Sequence, residues 1–111
     1  MRAAVVGAGS WGTALAIHLA RVGHEVSLCA RDAALVVRMR NARENADYLP
    51  GLRLPDRVTP TTDTAAAVAA ASMIVWAVPS HGTRHAIQDL APAIRSGTII
   101  VSATKGLERG T

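Results

Sequence analysis

Short apolar runs alternate along the chain with stretches in which apolar positions recur every three or four residues. Arg2–Val6 reads as a short apolar strand. Residues 10–22 follow with Trp11, Ala14, Leu15, His18, Leu19 and Val22 at helical spacing, one apolar stripe on an amphipathic helix. Gly23 stops that helix as a left-handed cap. Residues 25–30 form a second strand, and Asp32 is a good N-cap for a helix running to about Arg43. Residues 45–60 read as loop, because Tyr48-Leu49-Pro50-Gly51 and Leu54-Pro55-Asp56 carry turn chemistry, with room for a short strand near residues 57–59. Thr62 or Asp63 caps a helix through the alanine-rich stretch to Ala70. Residues 73–78 give the clearest strand, a continuous apolar run typical of burial on both faces. Pro79 ends it. Ser80 then caps a helix with Thr83, Ile87, Leu90 and Ile94 on its apolar side, whose last turn Pro92 breaks or makes irregular. Residues 98–102 are the last strand.

Strands alternating with helices imply a parallel sheet with right-handed crossovers. The fold class expected is α/β, a Rossmann-type doubly wound parallel sheet with about five strands. A full sheet of this kind usually has about six. The chain runs on from its last strand only through Lys105-Gly106-Leu107-Glu108 to Thr111, so it reads as one partial nucleotide-binding domain, residues 1–111, of a longer protein. With 50% of residues hydrophobic and 18% charged the chain is globular, and with 3% aromatic its core must come from Val, Ile, Leu and Ala.

Charge adds little. The formal net charge of +4 is scattered, no basic run appears, and no aromatics interleave with the arginines, so nucleic acid is not the expected partner. Such a mild bias suits either a solvated arginine-rich surface or a site for anionic ligands. The single cysteine, Cys29, excludes an internal disulfide and lies in an apolar run, where a buried inert thiol is expected. No run of about 18 apolar residues and no signal peptide is present, so no stable membrane insertion is expected and the cytoplasm is the default location.

The first strand leads directly into Gly7-Ala8-Gly9-Ser10-Trp11-Gly12, a GxGxxG, which in turn opens the first helix. The motif alone is weak; between a strand and an amphipathic helix it points to a dinucleotide. Gly7 permits the tight turn, Gly9 lets backbone approach a pyrophosphate, and Gly12 lets the helix pack closely on the strand. Free N–H groups and the partial positive charge at the helix start hold the phosphates. Counting on about 20 residues, to the residue that reads the adenosine ribose, reaches Ala30, Arg31 and Asp32. Arg31 either fits a 2′-phosphate through a bidentate contact or is a surface charge beside a helix start, while Asp32 either favours NAD or caps its helix. NADP is the favoured cofactor and NAD the alternative. His81 and His85 stand four apart on a helix, but no third ligand has suitable spacing, so no metal is expected.

Several segments together resemble NAD(P)-dependent glycerol-3-phosphate dehydrogenase, over nearly the whole chain. They are the glycine loop with its Ser10-Trp11 pair, Ala30-Arg31, Asn41, Asn45, Tyr48-Leu49-Pro50-Gly51, Ala77-Val78-Pro79-Ser80, Arg84 and Thr104-Lys105-Gly106-Leu107-Glu108. The resemblance implies hydride transfer between NAD(P)H and dihydroxyacetone phosphate, giving sn-glycerol 3-phosphate for phospholipid synthesis. It implies that Ser10, Trp11 and Arg31 contact the cofactor and that Lys105 sits where cofactor and the small phosphorylated substrate meet. Pro79, at the mouth of a central strand, lines the cofactor cleft, and Ser80 either joins it or caps a helix. Trp11 is either core or cofactor border. The family's general acid/base lies in a C-terminal helical domain outside this chain, so no catalytic residue is assigned and the isolated chain is expected to be inactive. A homodimer is compatible with the resemblance. Two other readings stand beside it: a stand-alone coenzyme sensor without chemistry, and a related dehydrogenase of another small acid or sugar nucleotide.

Overall fold

The computed structural model describes residues 1–78 and 88–103. Five parallel strands form one sheet: β1 (Arg2–Val6), β2 (Glu25–Cys29), β5 (Val58–Thr61), β6 (Met73–Trp76) and β7 (Ile99–Ser102). Their spatial order is β5-β2-β1-β6-β7, so β1 is central and the order reverses between β1 and β6. Helices α1 (Ser10–Arg21), α2 (Ala33–Ala42) and α3 (Thr64–Ala70) make the crossovers. This is the expected doubly wound architecture.

Alternation along the strands divides the core in two. On one face Val5, Val26, Leu28, Val58 and Val75 pack against Ala16, Ile17 and Ala20 of α1 and Leu35, Val36 and Met39 of α2. On the other, Ala4, Val6, Cys29, Ile74 and Trp76 pack against Ala67 and Val68 of α3. Aliphatics dominate as composition requires, with Trp76 the buried aromatic exception. Pro60 is fully buried in β5, where a missing N–H is tolerated because β5 pairs only with β2.

Two expectations need correction. The stripe on α1 is not its buried face: Gly12, Thr13, Ala16, Ile17 and Ala20 are buried, whereas Trp11, His18 and Val22 are exposed and Leu15 and Leu19 only flank the core. The helix approaches the strand so closely that small side chains occupy the contact, which a reading weighted by side-chain size assigns to the wrong side. Residues 45–60 are not simply loop. β3 (Glu44–Asn45) and β4 (Leu49–Arg53) form a two-stranded antiparallel ribbon, and the short strand expected near 57–59 is β5. Arg43 makes the ribbon's entry: it ends α2 in the left-handed region at φ 54° and its guanidinium donates to the carbonyls of Pro55 (2.6 Å) and Val58 (2.8 Å). Those long-range bonds hold a conformation that local sequence alone does not announce.

Smaller differences concern ends. The second strand stops at Cys29 and the Met73 strand at Trp76, each short of the apolar run that suggests it. Residues 91–93 form a 3₁₀ turn containing Pro92, the irregular ending anticipated there. Pro79, Ser80, His81 and His85 with the helix start assigned to them, and Lys105, lie outside the described residues.

Candidate functional site

A cleft of about 860 Å³ opens at the carboxyl ends of β1 and β2, beside the strand-order reversal. Open parallel sheets bind ligands at this place, because the loops leaving adjacent strands diverge there. The glycine loop forms its floor and residues 29–32, at the end of β2, one wall. Tyr48 and Leu49 of the ribbon form another, with Ala77 and Val78 beyond β6.

The three loop glycines have different reasons to be glycine. Gly7 adopts φ +111°, and a Cβ there would lie 2.7 Å from the Ala77 carbonyl oxygen. A Cβ on Gly12 would collide with the carbonyl oxygen of Gly7 and sit 3.3 Å from the Ala77 methyl. Both are therefore demanded by the protein's own packing. Gly9 is not: its backbone is ordinary extended chain (φ −76°, ψ −168°) and a Cβ would meet nothing within 4 Å. Among the described residues nothing requires glycine there, which leaves the approach of something from the cleft.

Gly9 is also the N-cap of α1, and among the described residues no side chain caps that helix. By contrast Asp32 caps α2, accepting from the amides of Ala34 (2.9 Å) and Leu35 (3.3 Å), and Asp63 caps α3, accepting from Ala66 (3.1 Å). No acid stands in the first turn of α1 either. Its free amides and positive dipole end thus face the cleft uncompensated, an arrangement suited to an anion.

At the far wall Arg31 is exposed and makes no ion pair among the described residues. Asp32 caps its helix through Oδ1, so of its two readings the capping one has a visible geometry. Ala30 and Leu35 give this end of the cleft an apolar lining that suits a nucleoside. Cys29 is 1% exposed, and burial pushes its thiol up from 9.0 to about 12, with a hydrogen bond to Thr64 opposing the shift. A thiol held protonated is a poor nucleophile, as its place in an apolar run suggested.

Ser10 and Trp11 are placed differently from a simple ligand-contact picture. Ser10 Oγ donates its one proton to the Tyr48 carbonyl at 2.6 Å, so towards a phosphate it offers its backbone N–H unless that bond breaks. Trp11, 45% exposed, lines the cleft and donates from Nε1 to the Ala103 carbonyl at 3.1 Å. It lies at the edge of the cleft and outside the buried core. The sequence places Tyr48 in a turn and counts Asn45 and Tyr48 in the resemblance, but assigns neither a place in the site. Their places in the site depend on contacts with residues more than 30 positions away, which no local pattern reports. Among the described residues no group of three or more His, Cys, Asp or Glu could hold a metal ion. No helix among them is long and apolar enough to cross a membrane.

Residues 2–111 match the family model described as NAD-dependent glycerol-3-phosphate dehydrogenase N-terminus. The chain is 52% identical over 108 residues to glycerol-3-phosphate dehydrogenase (NAD(P)+) of Xanthomonas euvesicatoria pv. vesicatoria, covering 97% of this chain and 32% of the relative. It is 48% identical to the enzyme of that name from Moorella thermoacetica, with the same coverage. The crystal structure of glycerol-3-phosphate dehydrogenase from Coxiella burnetii superposes with a TM-score of 0.85 at 35% identity, over 91% of this chain and 31% of that one. The chain thus spans about a third of the length of the relatives it matches.

Proposed function

Since the chain belongs to the N-terminal family of NAD-dependent glycerol-3-phosphate dehydrogenases, we propose that it is the coenzyme-binding part of an enzyme that reduces dihydroxyacetone phosphate to sn-glycerol 3-phosphate with NAD(P)H. The observation that carries this reading is the uncapped start of α1 behind Gly9, in a cleft at the strand reversal. The amides of residues 9–12 would hold the diphosphate, and Ala30 and Arg31 would receive the adenosine end. The coenzyme supplies the hydride; this chain holds it, screens one side with the ribbon, and leaves the nicotinamide end towards β6 and β7. Lys105, three residues beyond β7, binds substrate and cofactor where they meet, and Pro79 borders the same cleft. Residues 1–111 are the nucleotide-binding domain, and the general acid/base comes from a helical domain outside them. In the cell the reaction runs in the cytoplasm, as a homodimer, and supplies the glycerol phosphate backbone of phospholipids.

The test joins this chain to the C-terminal remainder of the X. euvesicatoria relative and follows NADPH absorbance on adding dihydroxyacetone phosphate. Oxidation dependent on that substrate is expected. A folded chimera that binds NADPH yet leaves it unoxidised would overturn the reaction while sparing the binding site.

Preference for NADP over NAD rests on Arg31, whose guanidinium has no partner among the described residues, next to an Asp32 whose Oδ1 already accepts from two helix amides. Titration of the chain with each coenzyme is expected to give the lower Kd for NADP. Losing a charge-assisted contact to the 2′-phosphate, Arg31→Ala should weaken NADP about tenfold and leave NAD within about twofold. Equal losses for both coenzymes would remove Arg31 from the discriminating role.

A further inference from the structure

Two polar side chains among the described residues are fully buried, Thr13 and Asn45, and they meet beneath the glycine loop. Asn45 Nδ2 donates to the Ala8 carbonyl at 2.9 Å and to Thr13 Oγ1 at 2.9 Å. Thr13 Oγ1 makes a longer contact of its own to the Ala8 carbonyl, at 3.4 Å. The amide cannot be turned over, because that would set its oxygen against the Ala8 oxygen. Among the described residues Asn45 Oδ1 is buried with no partner. Such an acceptor is destabilising, and an apolar side chain of the same size would avoid the cost. What the amide supplies in return is its hold on Ala8.

That hold has a geometric consequence. The Ala8 carbonyl and the Gly9 N–H belong to one trans peptide plane, in which the two groups point in opposite directions. Drawing the oxygen inward to Asn45 turns the Gly9 N–H outward, to the side of the cleft that Gly9 lines. No protein acceptor takes that N–H among the described residues. The register of β3 on β4 shifts between Glu44 and Asn45, a kink that turns Asn45 inward while Ala46, Asp47 and Tyr48 stay exposed.

We propose that Asn45 is a positioning residue for the coenzyme diphosphate: through the Ala8–Gly9 peptide it fixes the direction of the Gly9 amide that receives a phosphate oxygen. The proposal rests on the coenzyme reading above and extends it to a residue that need not touch the ligand. It gives the ribbon a second duty, since the strand that walls the cleft also sets the aim of its floor. An amide already aimed spends no energy on reorientation when the anion arrives.

The test compares ligands with and without a diphosphate bridge. Asn45→Leu keeps the side-chain volume and removes the donor. NADPH should then bind about tenfold more weakly, whereas 2′-AMP, which carries the adenosine and 2′-phosphate alone, should stay within about twofold. Unchanged NADPH binding, or an equal loss for both ligands, would overturn the positioning role; failure of the unaltered chain to bind NADPH would overturn the coenzyme reading instead. Should Asn45→Leu not fold, amide NMR of the unaltered chain decides. The Gly9 resonance should shift strongly on saturation with NADP and little with 2′-AMP. A Gly9 amide that saturating NADP leaves in place, while other cleft residues shift, would overturn the proposal.

Discussion

A Cβ added to Gly12 runs into the Gly7 carbonyl, whereas one added to Gly9 meets open space. The two substitutions should therefore separate folding from binding. Gly12→Ala must push helix α1 off the strand end, and overpacking of this kind costs about 1–3 kcal/mol, read as a lower urea midpoint. Gly9→Ala loses some quality as a cap but gains from a less flexible unfolded chain, so stability should stay within about 1 kcal/mol. Its methyl group faces the cleft, and coenzyme affinity should fall by more than about tenfold. A stable Gly12→Ala protein, or a Gly9→Ala protein that binds normally, would contradict the packing on which the site is built. Cys29 offers a pH-dependent check on the core beside them. Its folded pKa is raised by burial from 9.0 to about 12, so the thiol keeps its proton in the folded chain where the unfolded chain has lost it. The associated stability is fully present below 9.0 and is lost as pH rises through the window up to about 12. The slope approaches ~1.4 kcal/mol per pH unit as an upper bound. Urea titrations of the chain and of Cys29→Ala at pH about 8 and about 10 should show the unaltered chain losing more stability over that interval. Parallel losses would mean that the thiol is more hydrated than its 1% exposure implies.

Helices with a local signature were legible, and elements held by distant contacts were not. Asp32 caps α2 through its own next residues, so the start of that helix could be read directly; Gly7, Gly9 and Gly12 mark a turn within six residues and were equally readable. The buried side of α1 is not its large apolar stripe because close packing selects Gly12, Thr13, Ala16 and Ala20 over larger neighbours, so periodicity marks the helix but not its face. The ribbon escaped because its turn residues look like loop and its strands are short. It is held by the Arg43 guanidinium, by Asn45 on Ala8, 37 residues away, and by Ser10 on Tyr48, 38 away. One wall of the candidate site, Tyr48 and Leu49, is thus not placed by local pattern for a physical reason: its geometry is tertiary. The capping role of Asp32 can be isolated from ligand choice. Asp32→Ala should cost about 1 kcal/mol of stability through the loss of two amide partners. It should leave the ratio of NAD to NADP affinity unchanged, measured by titration of each coenzyme. A shift of that ratio towards NADP would show that the carboxylate takes part in reading the ribose.

At the scale of the molecule, the sheet ends differently on its two sides. β5 at one edge carries Pro60 and is flanked by Arg40 and Arg43, whose guanidiniums bond its carbonyls at Pro60 and Val58. An edge lacking an N–H and bonded by arginine at its carbonyls is a poor template for another strand. β7 at the other edge has no such protection among the described residues. It pairs with β6 alone, and Ile99, Ile100 and Val101 are 56%, 51% and 43% exposed. An exposed β-branched strand with a free row of backbone groups is a template for pairing. The 111-residue chain by itself is therefore expected to self-associate through β7, with apparent mass by light scattering rising with concentration. Ile100→Lys places a charge in the middle of that strand and should suppress the rise. It lies outside the residues lining the cleft, so coenzyme Kd should be unaffected. If the chain scatters as a monomer at all concentrations, the edge is covered by residues of this chain outside those described, and protection of the β7 amides from hydrogen exchange would then show it.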